Sequence, residues 1–166
     1  MKTALRHLSS LIAPIVMGFV LPYLIVRSEH ADGSTTLTSS MALLIFGAVL
    51  WLIGLTLLLA TIRMFMLIGR GTIMPWDPTR KLITGSLYGH VRNPMILGVL
   101  TVQVGAAIMF ASTGVTALAV VFLVVNTVYF IYSEEPGLEK RFGAEYVEYK
   151  RNVPRWIPRL KPWRPG

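Results

Sequence analysis

The sequence of this 166-residue chain predicts an all-α integral membrane protein, organised as one domain over residues 1–166. Composition is the first observation, because 54% of the residues are hydrophobic, only 14% are charged, and the mean hydropathy is +0.60. Soluble domains contain about 25% charged residues, so this balance indicates a protein of the bilayer. The second observation is a set of long charge-free runs, and the third is the crowding of basic residues between them.

The charge-free runs predict about four transmembrane helices. The first run covers residues 8–26, and the second predicted span covers residues 41–68, whose first 22 residues carry no charge. About 20 apolar helical residues cross a hydrocarbon core of about 30 Å. No small-x-small cleavage pattern precedes Arg27, so the first span is expected to be retained, with Pro14 and Pro22 as candidate bends.

A helical hairpin is predicted for the next run, which has no charge over the 41 residues from 93 to 133 and is too long for one crossing. Ala-Ser-Thr-Gly at residues 111–114 is its only turn-like break, so the spans are predicted at residues 94–110 and 115–132. Gly98 and Gly105 on the first arm would let the helices approach closely.

Basic residues predict the orientation. With four spans, the two ends and the loop over residues 69–93 share one side, which holds fifteen of the sixteen Lys and Arg residues. The positive-inside rule puts that side, and both termini, in the cytoplasm. The net charge of +8 is therefore mainly a topology signal, with anionic head groups as a second cause and nucleic acid not expected as a partner.

The tail over residues 133–166 is charged again. Leu138, Phe142, Tyr146 and Tyr149 recur in it at helical spacing, which predicts a short amphipathic helix at the cytoplasmic interface. Cysteine is absent, which excludes disulfides, thiol catalysis and Cys-ligated metal, and the three histidines have no metal-ligand spacing, so no zinc or iron site is expected.

Two polar clusters are predicted to form one site, because a hairpin returns its ends to the same side. His90, Arg92 and Asn93 lie at the start of a helix that a proline opens, where free backbone N–H groups are also available. Glu134 and Glu135 lie where the second arm is predicted to end, against the helix dipole. Arg92 or a cationic ligand is expected to compensate the negative charge of these two glutamates.

Each of these residues also has a structural interpretation. Arg92 alone is explained as a positive-inside anchor, His90 as a satisfied hydrogen-bonding group, and Tyr146 and Tyr149 as packing residues. The convergence of the two clusters favours the functional interpretation.

Two motifs carry a resemblance to a known family. Tyr-Gly-His-Val-Arg-Asn-Pro-Met-Ile-Leu-Gly stands at residues 88–98, and Glu-Glu-Pro-Gly-Leu-Glu-Lys-Arg-Phe-Gly-Ala-Glu-Tyr-Val-Glu-Tyr at residues 134–149. They resemble the isoprenylcysteine carboxyl methyltransferase family, which includes prokaryotic relatives and phospholipid methyltransferases. The match covers roughly residues 80–158, about half of the chain, whereas residues 1–70 match only as hydrophobic spans.

The resemblance implies S-adenosylmethionine (SAM) as methyl donor, bound at the cytoplasmic face of a bacterial or archaeal inner membrane. The acceptor would be a lipophilic carboxylate, thiol or lipid amine that enters between the spans. The candidate catalytic residues are Arg92, Glu135 and His90; an amine acceptor must first lose a proton, for which Glu135 or His90 are the candidate bases. Carried over by position from the family, a second set of residues would bind the cofactor. The cofactor contacts would be Arg80, Lys81, Leu82, Ile83, Tyr88, Asn93, Pro94, Met95, Ile96 and Glu134.

Three positions depart from the family pattern. Asn93 replaces the usual His and cannot titrate, and Ile96 replaces the usual Tyr. Phe130 stands where the eukaryotic enzymes carry an Arg implicated with the prenylcysteine carboxylate, which argues against that substrate.

Two alternatives remain at the level of sequence. Membrane sterol reductases share the hairpin and tail but bind NADPH, whose 2′-phosphate could contact Arg151, Arg155 and Arg159. The second alternative is a non-enzymatic protein that binds acidic lipid or a partner through its basic tail. The sequence sets neither the methyl acceptor nor the oligomeric state.

Overall fold

The computed structural model describes residues 12–34, 37–38, 40–68 and 82–165, without the side chains of residues 65–68. Within these ranges every regular element is a helix, and there is no strand. A short 3₁₀ turn, Ser86–Gly89, precedes the third of five helices. These helices are α1 (Ile12–Ala31), α2 (Met41–Ile68), α3 (Pro94–Met109), α4 (Thr113–Phe142) and α5 (Ala144–Asn152).

Three of the helices, α1, α2 and α4, are long and apolar enough to cross a membrane, which fits the predicted integral membrane class. Large apolar side chains on α2 and α4, such as Leu52 and Val124, are exposed where a soluble protein would bury them. The apolar helix α3 has only 16 residues, about 24 Å, which is shorter than a hydrocarbon core. A span count of four therefore stays a prediction.

Helices α2 and α3 pack backbone against backbone. A Cβ atom added to Gly54 would lie 2.6 Å from Val102 N, and one added to Gly105 would lie 2.6 Å from Trp51 N. Gly98 faces Leu58 and Gly54 in the same way. The glycines of the first hairpin arm thus allow a close approach, but to α2 rather than to the second arm of the hairpin.

Two helices contain a widened π turn, and a proline follows each at the same offset. In α1 the turn is Val16–Val20 and the proline is Pro22; in α4 the turn is Phe130–Glu134 and the proline is Pro136. Proline has no N–H and collides with the carbonyl one helical turn earlier, so the wider turn allows the helix to continue.

In the π turn of α1, the backbone carbonyl of Met17 would accept a hydrogen bond from the N–H of residue 22. Residue 22 is a proline and has no N–H. Instead, the buried Gln103 of α3 donates from Nε2 to Met17 O at 2.9 Å. An amide thus links two apolar helices through the backbone, which is a common form of polar contact between membrane helices.

The predicted break at residues 111–114 is confirmed, because α3 ends at Met109 and α4 begins at Thr113. Ser112 caps α4, accepting a hydrogen bond from Val115 N at 3.0 Å. The carboxylate of Glu29, at the end of α1, accepts from Gly114 N at 2.6 Å and from Ser112 Oγ. This acidic cap fastens α1 to the hairpin turn.

The first and last helices extend beyond the predicted spans, whose own bounds stay predictions. Helix α1 continues past residue 26 to Ala31, while residues 8–11 lie outside the described residues. Helix α4 does not end at residue 132 but continues through the two glutamates to Phe142. The predicted amphipathic helix is therefore two helices, separated at Gly143, whose φ of +55° suits glycine.

Candidate active site

A cavity of about 270 Å³ lies where the start of α3, the second half of α4 and helix α5 meet. Its wall is mainly apolar with a few polar side chains, which is typical of small-molecule sites. The lining residues are Leu82, Ile83, Tyr88, Arg92, Asn93, Met95, Ile96, Asn126, Tyr129, Phe130, Glu134, Glu135, Leu138, Tyr146 and Tyr149.

Most of the residues predicted for the site line this cavity. They are seven of the predicted cofactor contacts, together with two of the three catalytic candidates: Leu82, Ile83, Tyr88, Asn93, Met95, Ile96, Glu134, Arg92 and Glu135. Pro94 is buried as the first residue of α3 but is not part of the lining. Arg80 and Lys81 lie outside the described residues, as does most of the loop before α3.

The two polar clusters meet. Arg92 Nη1 lies 2.8 Å from Glu135 Oε1, although the residues are 43 positions apart. The hairpin produces this contact, because α3 and α4 run antiparallel and return the chain to the same end of the bundle.

Glu135 is surrounded by cations. It is 4% exposed, and its carboxylate also contacts Arg155 Nη2 at 2.7 Å and Lys150 Nζ at 3.2 Å. Both carboxylate oxygens are therefore occupied, and a carboxylate held by three cations is a poor proton acceptor. Helix α4 continues through these two acids, so they do not end it.

Glu134 has the opposite surroundings. It lines the cavity, yet no hydrogen bond or ion pair joins its carboxylate to any residue in the described part of the chain. Adjacent glutamates thus divide into one that is buried and paired and one that is open to a ligand. Both glutamates line the cavity, at and just after the end of the π turn at residues 130–134.

The start of α3 also opens on the cavity. The side chain of Asn93 makes no capping bond, and the N–H groups of Met95 and Ile96 precede the first acceptor within the helix. Arg92 Nε is a buried donor that has no partner among the described residues. These are the open hydrogen-bond donors at this end of the cavity.

His90 does not line the cavity. Its Nδ1 lies 2.7 Å from Arg159 O, and its own carbonyl accepts from Arg159 N at 2.9 Å. Backbone bonds from Arg92 N to Pro154 O and from Trp163 N to Gly89 O continue this pairing. His90 therefore fastens the extended segment at residues 153–165 to the start of α3, and the proposed catalytic position of this histidine is not supported by its geometry.

Tyrosines of α5 and of the 3₁₀ turn close one side of the cavity. Tyr149 Oη donates to Tyr88 O at 2.8 Å, and burial raises the pKa of both phenols well above the usual value. Both hydroxyls are therefore neutral hydrogen-bond donors at any physiological pH. Tyr146 is buried and lines the cavity, so the predicted packing role of Tyr146 and Tyr149 is correct but incomplete.

Two lining residues, Asn126 and Tyr129, are absent from the site predicted from the sequence. Both lie inside the predicted fourth span, which is defined by its lack of charge. For Asn126 the available signal was an amide in an apolar helix, eight residues before Glu134 and hence close to the same face.

The family model described as phospholipid methyltransferase matches residues 42–145, more than half of the chain. The chain belongs to the phospholipid methyltransferase family. This confirms the resemblance inferred from the motifs, and the matched range holds α2, α3, α4 and most of the cavity lining.

Two curated relatives agree with this assignment. Methanethiol S-methyltransferase 2 of Bradyrhizobium diazoefficiens is 38% identical over 80 residues, which is 46% of this chain and 29% of the relative. Protein-S-isoprenylcysteine O-methyltransferase B of Arabidopsis thaliana is 37% identical over 81 residues, which is 47% of this chain and 40% of the relative. The chain thus spans less than half the length of either relative.

Proposed function

We propose that the protein is an integral-membrane methyltransferase that transfers a methyl group from SAM to a lipophilic acceptor. The observation that carries this proposal is the carboxylate of Glu134, open in an apolar cavity that also receives the start of α3. Membership of a methyltransferase family supports the reaction class.

The cavity offers complementary partners for each part of SAM. Its carboxylate would take the free N–H groups at the start of α3 and the orphaned Arg92 Nε. Its ribose hydroxyls would donate to Glu134, and its adenine would lie against apolar side chains such as Leu82 and Ile83. When bound, SAM supplies an electrophilic methyl group on a sulfonium.

The transfer itself needs little acid–base chemistry from the protein. The nucleophilic atom of the acceptor forms a bond to the methyl carbon, the carbon–sulfur bond breaks with its electron pair remaining on sulfur, and any hydrogen on the nucleophile leaves as a proton to water. The chain aligns the reactants and excludes water from them. In this proposal Arg92 and Glu135 are positioning residues, because their contact holds α4 against the start of α3.

The NADPH-dependent alternative is less well supported by the same contacts. Arg155 is paired with Glu135, and Arg159 Nη1 donates to Asn152 O at 2.6 Å. Two of the three arginines considered for a 2′-phosphate are thus engaged within the chain.

Calorimetric titration of the detergent-purified protein tests the proposal. SAM and S-adenosylhomocysteine are expected to bind in the micromolar range and NADPH not to bind. Glu134→Gln should weaken SAM binding at least about tenfold, equivalent to about 1.4 kcal/mol. Glu145→Gln, at an exposed position of α5, is the control and should bind like the wild type.

Three results would contradict the proposal. Wild-type affinity in Glu134→Gln would remove Glu134 from the site. Binding of NADPH alone would favour the reductase, and a folded protein that binds none of the three compounds, in detergent or in lipid nanodiscs, would favour the non-enzymatic alternative.

A further inference from the structure

The cavity extends along α4 beyond the glutamates. Asn126, Tyr129 and Phe130 line this inner part together with Met95 and Ile96 of α3. Asn126 precedes Glu134 by eight residues, about 12 Å along a helix axis. The inner part is therefore separated from the polar mouth and lies in the apolar half of α4.

Asn126 and Tyr129 are the polar side chains of this inner part, and only part of the hydrogen-bonding capacity of Asn126 is used. Its Nδ2 donates to Phe122 O at 2.7 Å, one turn earlier in the same helix. An asparagine has a second N–H and a carbonyl oxygen, and neither has a partner among the described residues. A polar group inside an apolar helix is costly, so one that faces a cavity indicates a ligand.

Charge limits which ligands suit the inner part. Arg92 is the one cationic side chain among the described residues of the lining, and its guanidinium is paired with Glu135. Phe130 occupies the wall next to Asn126, and the other ionisable side chain nearby, Glu134, is an acid and supplies no cation. An anionic acceptor would lose its hydration here without gaining a cation. A neutral acceptor loses much less, and a hydrogen on its nucleophilic atom matches the free carbonyl oxygen of Asn126.

We propose that the inner part of the cavity is the acceptor subsite and that Asn126 determines its specificity. The amide oxygen of Asn126 accepts a hydrogen bond from a neutral lipophilic thiol or amine, and the site disfavours carboxylates. This inference rests on the proposed methyl transfer, whose bond changes are unaltered: the thiol sulfur or amine nitrogen is the nucleophile, and its hydrogen leaves as a proton to water.

Two substitutions separate the proposed role of Asn126 in acceptor binding from its hydrogen bond to Phe122 O within α4. Asn126→Ser keeps a side-chain donor for Phe122 O but loses the amide oxygen. Thr127→Val is the matched control, because Thr127 Oγ1 makes the same kind of contact, to Leu123 O at 2.7 Å, from a position that does not line the cavity. SAM affinity is measured for both variants, since the acceptor subsite predicts no change in it.

The experiment compares dodecanethiol, dodecylamine and dodecanoate as acceptors of equal chain length, at neutral and at alkaline pH, because the amine is largely protonated at neutral pH and the subsite takes its neutral form. The wild type should methylate the thiol or the amine with a kcat/KM at least about tenfold above that for the carboxylate. Asn126→Ser should raise KM for the preferred acceptor at least about fivefold with a smaller change in kcat, whereas Thr127→Val should match the wild type. Calorimetric titration of the acceptor into protein saturated with S-adenosylhomocysteine should show the same loss of affinity.

The outcomes distinguish the two proposals. A wild type that binds no SAM contradicts the methyltransferase proposal itself. A wild type that binds SAM but prefers dodecanoate, or methylates none of the three compounds, contradicts the acceptor subsite alone. Wild-type KM and acceptor affinity in Asn126→Ser would likewise overturn the role of Asn126.

Discussion

Replacement of Glu135 with glutamine removes the charge that joins three parts of the protein while keeping the shape of the side chain. Arg92 belongs to the start of α3, Lys150 to α5 and Arg155 to the extended segment at residues 153–165, and all three contact this carboxylate. The variant leaves these cations close together without their common anion. Detachment of α5 and the extended segment from the bundle is the expected result.

The magnitude follows from how exposed each partner is. The side chain of Arg92 is 10% exposed and that of Arg155 is 22% exposed, so these contacts resemble a buried ion pair, for which loss of one partner costs about 3–5 kcal/mol. Lys150 is 38% exposed and adds at most about 1 kcal/mol. Glu135→Gln should therefore lower the free energy of unfolding by about 3–5 kcal/mol.

Chemical unfolding in detergent measures this change, and limited proteolysis reports detachment of the C-terminal part. Glu139→Gln is the matched control, because Glu139 lies one turn later on α4 and contacts Lys150 at 2.7 Å but is itself 39% exposed. Its expected cost is about 0–1 kcal/mol. Equal stability of the two variants would refute the assignment of Glu135 as the buried centre of the network.

Two further substitutions test the packing of the bundle. Gly54→Ala would put a Cβ 2.6 Å from Val102 N, so it should lower the free energy of unfolding by about 1–3 kcal/mol, whereas Gly137→Ala, with no atom within 4 Å, should be neutral or stabilising. Ser112→Ala removes the cap of α4 and should cost about 1 kcal/mol; Thr113→Ala, which loses only an exposed contact at 3.3 Å, should cost less. Thermal unfolding in detergent measures all four, and a reversed order within either pair would contradict the packing described.

The meeting of the two polar clusters could be predicted because it depends on topology alone. A charge-free run too long for one crossing has to turn, and the turn returns Arg92 and Glu135 to the same end. The pairing of Arg92 with the glutamates was predicted as charge compensation. The division of labour between Glu134 and Glu135 could not be predicted, because it depends on which side of α4 each one faces.

The π turns change which side of a helix the following residues face. Sequence periodicity assumes a regular helix of 3.6 residues per turn, so two adjacent acids and a proline after a long apolar run predict that the helix ends there. The structure instead widens one turn before Pro136, as it does before Pro22, and the helix continues. Prolines inside long apolar helices are thus a usable sign of such turns in this protein.

The structural role of His90, which pairs with the segment at residues 153–165, could not be predicted from the sequence for a different reason. The extended segment at residues 153–165 binds the start of α3 through backbone atoms, in the bonds from Arg92 N to Pro154 O and from Arg159 N to His90 O. Backbone pairing of an irregular segment has no side-chain periodicity, so the sequence carries no pattern for it.

Helix α4 is one continuous rod from the hairpin turn to Phe142, and it forms the cavity wall both at Asn126 and at Glu134. Helix α3, by contrast, is fixed against α2 by contacts between backbones. A long apolar helix adjusts to a thicker or thinner bilayer by changing its tilt. Because one helix carries both Asn126 and Glu134, a change in the tilt of α4 would move both parts of the cavity wall together.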